Sequence, residues 1–417
     1  MNTNYNITLK ITAWLCLSIF YFYQYVLRML PNIIMPEILQ KFCIGASEFG
    51  NFAGIYYIGY IIAHIPIGVL LSRFGNKIVL SVCVLISAVG LLPFSYFDSW
   101  SYMILGRFLI GVGSSAAAIG AIQVFRVLFP NAFSRAIGLM VCVGLLTTVF
   151  CSGPISYFID MLGVDYVINA IVVAGMALAV FTFIVIPNTS QDTSSNENES
   201  HNVWYDVKSV LCNFKVISIS ILAGLMVGPL EGFADAWGNA FIVSVFELSK
   251  AEANSIVFCI LTGMCFGCII LPYFADKTRR YYEVTFISAV LMLISYIIMM
   301  LDTNSSTQML KLICFVIGIF SAYQTVIIPK ASMLVPENLS AMAAAITNMI
   351  IMSFGSVFHN SIGYVLQKMH NGKIENGIVV YSKDAYMYSI SVIPIAIAIS
   401  AVGFFIVIIL NYNKKYY

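Results

Sequence analysis

Asn188-Thr-Ser-Gln-Asp-Thr-Ser-Ser-Asn-Glu-Asn-Glu-Ser-His201 is the one long polar stretch in a chain of 417 residues, and it falls near the midpoint. Its Ser, Asn, Thr and acidic residues cannot build a core, so it reads as a flexible linker. Outward from it in both directions the chain turns apolar: 60% of its residues are hydrophobic and only 10% are charged. A soluble protein of this length usually carries about a quarter charged residues. A membrane helix needs ~20 mostly apolar residues. Polar breaks cut the chain into twelve such runs, numbered here as spans 1 to 12. Before the linker they cover about 11–36, 50–72, 77–97, 101–125, 134–157 and 165–187. After it they cover about 214–243, 253–275, 281–301, 309–330, 340–366 and 385–410. The expected fold is an all-α membrane protein: twelve transmembrane helices in two pseudo-symmetric six-helix bundles, residues 1–187 and 214–417, joined by a cytoplasmic linker at 188–213. The runs are continuous rather than alternating, which excludes a β-barrel.

Composition excludes more than it selects. So few charges leave no material for a soluble enzyme, and a net charge of +2 gives no polyanion signature, so no nucleic-acid partner is expected. The ten cysteines are scattered, mostly inside apolar runs. Cys265 and Cys268 form a lone CxxC within span 8, without the further partners that a zinc or redox site needs. The N-terminal run lacks the short h-region and cleavage site of a signal peptide, so it reads as a retained first span. Lys and Arg set the orientation. With the N-terminus inside, cytoplasmic segments hold thirteen of them and outer loops six, leaving only Arg28 and Arg107 inside spans. Both termini are therefore expected in the cytoplasm.

An internal repeat joins the halves. The loop after span 2 reads Gly68-Val-Leu-Leu-Ser72-Arg73-Phe74-Gly75-Asn76-Lys77; the loop after span 8 reads Pro272-Tyr-Phe-Ala-Asp276-Lys277-Thr278-Arg279-Arg280. Each has a helix-ending small or rigid residue, four steps to a polar residue, then a basic cluster. Gly59 lies thirteen residues before Ser72, and Gly263 thirteen before Asp276.

The first loop resembles the cytoplasmic signature of the major facilitator superfamily, G-x-x-x-D-[RK]-x-G-[RK]-[RK]. Gly68, Arg73, Gly75 and Lys77 match, Ser72 stands in place of the Asp, and Asn76 stands where a base is usual. The second loop keeps the acid as Asp276 and lacks the glycine. The resemblance implies a gating loop that latches the bundles in the outward-open state, weakened on the first-half side by the lost acid. Arg107-Phe-Leu-Ile-Gly111-Val-Gly113 in span 4 is similar to the family's R-x-x-x-G-x-G segment, which implies a part for Arg107 in proton coupling; an Arg bonded to nearby carbonyls is the other reading. Phe20–Pro31 and Val227–Gly238 resemble a bacterial branch that includes phagosomal nutrient transporters, which implies amino-acid or other small-nutrient uptake. Drug–proton antiporters of the superfamily carry a glycine series in span 5; Gly144 and Gly153-Pro154 are present here and the closing glycines are not, which argues against efflux.

The charges that remain carry the chemistry. Of the nineteen acids, only Glu231 and Asp235 lie near the middle of a span, span 7. Each charge at bilayer depth costs ~2.5–3.5 kcal/mol on insertion scales, so both must face the bundle interior. Their i, i+4 spacing puts them on one helix face. Close carboxylates in a low dielectric raise each other's pKa, which suits a proton relay. Aligning the halves on their loops gives Arg28 on span 1 and Asp235 on span 7 equivalent places, and the resemblance implies that these spans face each other across a central cavity. Arg28 would grip a substrate carboxylate with its planar fork, or pair with Asp235 permanently.

A fixed cation and an acidic pair can read both ends of a zwitterion. Gln24 shares a helix face with Arg28, and Tyr21 and Tyr25 lie beside it. Trp237, Asn239, Tyr323, Gln324 and Asn348 complete the substrate-binding candidates, while Glu231, Asp235 and Arg107 are the coupling candidates. His64 and His359 add titratable groups in spans 2 and 11. The expectation is a proton-coupled importer of an amino acid or short peptide, with a proton-driven exporter of a metabolite or drug as the alternative and a non-transporting receptor behind both. Sodium coupling stays open, since carboxylates bind both ions. No nucleophile–base pair, phosphate loop or metal cluster is legible, so no enzyme activity, cofactor or metal is expected. The expected partners are a small-molecule substrate and the lipid bilayer, of a bacterial inner membrane, with the chain acting as a monomer.

Overall fold

In a bilayer every backbone polar group must be satisfied within the protein, so continuous apolar runs of this length become helices. The computed structural model describes residues 6–129, 133–187, 203–303, 305–336, 339–369, 374–375, 378–379 and 381–413. Eleven segments among the described residues are long and apolar enough to cross a membrane, and the 30-residue helix Phe133–Leu162 supplies the twelfth.

Contacts divide the chain into two compact units, one of Met1–Phe42 with Ile55–Glu197, the other of Cys43–Gly54 with Asn198–Tyr417. The first contains α1 (Ile7–Ile33), α2 (Met35–Phe42), most of α3 (Ala46–Phe74), α4 (Asn76–Val89), α5 (Leu92–Tyr96), α6 (Trp100–Ser114), α7 (Ala116–Leu128), α8 (Phe133–Leu162) and α9 (Val164–Val185). Within it α1 packs on α8, and α4 on α6 and α9. The second contains α10 (Val203–Leu211), α11 (Phe214–Leu225), a π-helical segment (Gly228–Trp237), α12 (Gly238–Phe246), α13 (Lys250–Thr278), α14 (Tyr281–Leu301), α15 (Thr307–Ser321), α16 (Gln324–Ser332), α17 (Ser340–Lys368), α18 (Lys383–Ile390) and α19 (Val392–Asn413). Here α13 packs on α15, α14 on α19, and α11 on α17. A two-residue ladder, β1 (Ile374–Glu375) against β2 (Ile378–Val379), is the only strand pairing among the described residues.

Glycine sets the helix spacing identically in both units. A Cβ at Gly59 would lie 2.4 Å from Phe108 O, and one at Gly111 would lie 2.0 Å from Tyr56 O, so α3 and α6 touch backbone to backbone. In the second unit Gly263 stands in the same way 2.0 Å from Phe315 O, and Gly318 1.9 Å from Ile260 O. Phe108 and Phe315 each lie three residues before a glycine of this set, as do Tyr56 and Ile260. The repeat read from the loops is thus a repeat of helix contacts. Small residues permit such close approach, which is what holds helices together where lipid gives no hydrophobic drive.

Two features depart from the sequence expectation. The segment read as linker, 188–213, contains α10, whose Val207 and Val210 are buried; residues 188–202 lie outside the described residues. The first nine residues of α3 belong with the second unit. There a Cβ at Gly50 would sit 2.4 Å from His359 O, and one at Gly363 2.4 Å from Ala46 O. The Ala46 amide donates to Tyr381 Oη and the Ser47 amide to Gln367 Oε1, both at 2.8 Å.

Candidate functional site

Span 7 is not one α-helix. Between α11 and α12 the backbone widens into ten residues of π-helix with i→i+5 bonding, ending where Gly238 N–H reaches back to Phe233 O. Pro229 near its start has no N–H to give. This segment carries Glu231 and Asp235, which are 0% and 2% exposed. The expected α-helical spacing is therefore corrected, but its consequence survives. Four residues fall a little short of one π turn, as they fall a little beyond one α turn, so both carboxylates keep to one side.

Around the segment, Tyr323 is fully buried and donates to Ala223 O at 2.5 Å. Its hydroxyl thus holds the end of α11 just ahead of the break. Trp237 is fully buried with its ring edge-on to Phe49 at 5.3 Å, and its indole N–H finds no acceptor among the described residues. Asn239 donates to Asn254 Oδ1 on α13. Gln324 is buried and Asn348 half-buried. Tyr296, edge-on to Phe233 at 6.0 Å, is also buried and its hydroxyl has no partner among the described residues. Sequence reasoning passed over Tyr296 and Asn254, because one polar residue on an apolar helix carries no pattern.

In the first unit, Arg28 and Gln24 are buried one turn apart on α1. The Arg28 guanidinium carbon lies 4.7 Å from the centre of the Tyr25 ring. Tyr21 meets Tyr25 edge-on at 5.3 Å, and a Cβ at Gly144 would come within 2.5 Å of the Tyr21 ring. The two tyrosines thus pack α1 onto α8. Arg107 is 2% exposed. It donates from Nη1 to Leu27 O at 2.7 Å and from Nη2 to Arg28 O at 2.9 Å, with its guanidinium carbon 4.7 Å from the Tyr56 ring centre. Of the two readings of Arg107, this is the geometry of an Arg bonded to carbonyls. His64 is buried beside the Tyr60 ring, and His359 is buried on α17.

The loop residues occupy equivalent turns. Gly75, at φ +81° and ψ +157°, takes a conformation that glycine accepts without strain, and links α3 to α4. Arg279 takes the matching place between α13 and α14 with φ +58°. Arg73 and Lys77 lie over the rings of Phe74 and Phe183. Gly68 has open space around it, and the Ser72 side chain lies outside the described residues. Asp276 accepts from Tyr281 Oη at 2.9 Å, and Lys277 lies over the Tyr273 ring. Arg280 is exposed. Among the described residues no three His, Cys, Asp or Glu side chains gather to hold a metal ion.

Membrane-length helices, a repeated glycine lock in each unit, and carboxylates buried at mid-span define a polytopic membrane protein. The chain belongs to the Major Facilitator Superfamily, whose profile matches residues 17–359. Escherichia coli has an inner membrane transport protein, YajR, that is 26% identical over 208 residues, covering 47% of this chain and 45% of that protein. The chain spans less than half the length of the curated relatives it matches. Among solved structures, a bacterial homolog of the human lysosomal transporter Spinster has a TM-score of 0.81 at 14% identity, covering 96% of this chain and 97% of that one. A mutant of the nucleoside transporter NupG has a TM-score of 0.77 at 16% identity, covering 95% and 99%. At such identities the likeness is one of fold.

Proposed function

We propose that the chain is a proton-coupled importer of a small zwitterionic nutrient, an amino acid or short peptide, working by alternating access. The observation that carries this reading is the pair of fully buried carboxylates on the π segment of span 7. Carboxylates at a depth where each costs ~2.5–3.5 kcal/mol are kept for a charged cargo group or a coupling proton. Arg28, buried on the equivalent span of the first unit, supplies the opposite sign. Its fork holds the substrate carboxylate, and Glu231 or Asp235 takes the ammonium group or the coupling proton. Gln24, Asn239, Gln324 and Asn348 contribute hydrogen bonds, and the loops at Arg73–Lys77 and Asp276–Arg280 act as the cytoplasmic latch. The host membrane is a bacterial inner membrane with both termini cytoplasmic, and the monomer is the working form. The likeness of Phe20–Pro31 and Val227–Gly238 to a branch of nutrient transporters supports the same reading.

The test is uptake of a labelled amino-acid and dipeptide pool into proteoliposomes, with and without an inside-alkaline pH gradient. Accumulation that collapses with a protonophore is the expected result, and accumulation that needs a sodium gradient instead would replace the proton. No accumulation by folded protein would overturn the reading in favour of export or another cargo. A nucleoside and D-xylose belong in the same assay, since fold neighbours are named for carrying them.

A further inference from the structure

A proline inside a helix has no N–H for the carbonyl four residues back, and its ring presses on that same carbonyl. In α1 the proline is Pro31 and the carbonyl belongs to Leu27. Arg107 donates to it, and the second arm of the same guanidinium reaches the next carbonyl, Arg28 O. A planar fork suits two successive carbonyls; an ammonium on a flexible stem has no such match. The approach is built in: Gly111, one turn on in α6, lets that helix touch α3 at Tyr56 O, and the Tyr56 ring faces the guanidinium.

The second unit shows what the same place looks like without this device. Cys314 stands four residues before Gly318, as Arg107 stands four before Gly111. A thiol cannot fork across two carbonyls. With the three-residue allowance that matches Arg28 to Asp235, Gly238 takes the place of Pro31, and its N–H bonds five residues back within the π segment. One unit mends its broken span from outside with Arg107, and the other does so from inside by widening the helix.

We infer that Arg107 is a positioning residue that holds the proline break of α1, and with it the backbone from which the Arg28 side chain departs, and that it does not carry the coupling proton. A guanidinium stays charged at any pH a cell meets. The consequence for substrate rests on the reading of Arg28 as the carboxylate grip; the hold on the break does not.

The experiment is a double-mutant cycle on the purified full-length chain, with Arg107→Gln, Pro31→Ala and their combination, read by backbone hydrogen exchange over residues 24–34. Losing donors from a charged group is expected to speed exchange there about tenfold or more, with α13 and α15 unchanged. Pro31→Ala returns a backbone donor to Leu27 O, so the combination is expected to lose at least about half of that acceleration in logarithmic terms. Equal acceleration in both backgrounds would overturn the inference. Should Arg107→Gln fail to fold, Arg107→Lys carries the same cycle. In proteoliposomes, Arg107→Lys is expected to raise KM for the zwitterion while leaving the pH-gradient dependence intact. Loss of that dependence with unchanged exchange would make Arg107 a coupling group and overturn the inference. A coupled cycle with unchanged KM would keep the hold on the break and remove Arg28 from the site.

Discussion

The two units lock their helices in the same way and treat their central spans differently. Gly59 with Gly111 and Gly263 with Gly318 place backbone on backbone at matching positions. Span 1 nevertheless stays α-helical through Pro31 and carries a buried guanidinium, while span 7 opens into π turns and carries two buried carboxyl side chains. The scaffold was repeated and the charge was not.

The largest effect should come from the shared part. Gly111→Val and Gly318→Val each put side-chain atoms where a carbonyl already sits at 2.0 or 1.9 Å, and overpacking costs about 1–3 kcal/mol and more where backbone must move. Both variants should fail to give monodisperse protein on size exclusion, whereas Gly138→Ala, with open space around it, should behave as the parent. A unit that tolerates its valine would break the symmetry of the lock.

Next come the differing charges. Arg28→Ala should reduce zwitterion uptake about 100-fold, in line with truncating one partner of a buried charged contact. Retained uptake would remove Arg28 from the site. Glu231→Gln should abolish accumulation driven by the pH gradient yet preserve substrate exchange, and intact accumulation would move the proton elsewhere. Stability of Arg28→Ala, Asp235→Ala and the double variant sharpens the comparison further. Pairing predicts a coupling of about 1 kcal/mol or more, and additive losses would dismiss it.

The smallest effect concerns the loops. Arg279 is left-handed at φ +58° and ψ +22°, which costs a side chain ~1–2 kcal/mol, and Gly75 at φ +81° and ψ +157° lies in a region that is essentially glycine's alone, at ~1–3 kcal/mol for other residues. Arg279→Gly should stabilise the protein by about 1 kcal/mol in thermal unfolding, and Gly75→Ala should destabilise it by a similar amount.

Much of this was legible before any coordinates. Unbroken apolar runs gave the spans, because lipid leaves the backbone no alternative to a helix. Gly59 and Gly263, each thirteen residues before the polar loop residue of its half, proved to be helix contacts. The buried states of Arg28, Glu231 and Asp235 followed from the cost of charge in hydrocarbon. The π segment did not follow: hydrogen-bond register within a helix depends on neighbours, and Gly228, Pro229, Gly232 and Gly238 hinted only that the helix was weak there. α10 was hidden by the polar run before it, although Val203, Val207 and Val210 have helical spacing. The destination of Arg107 required knowing that Leu27 is the residue Pro31 deprives. Subtracting four from the proline would have found that carbonyl, but not the side chain that reaches it.

The sharing of α3 bears on how such a gene can be divided. Residues 43–54 precede the linker by well over a hundred positions, yet they pack with the second unit. A C-terminal fragment beginning at residue 203 would leave the Tyr381 hydroxyl without the Ala46 amide, and would uncover the α17 surface at His359 and Gly363 that Gly50 and Ala46 fit. An N-terminal fragment would in turn carry nine residues of helix shaped for a missing neighbour. Fragments split at the linker should therefore survive in cells only when made together, each completing a fold that the other cannot finish alone.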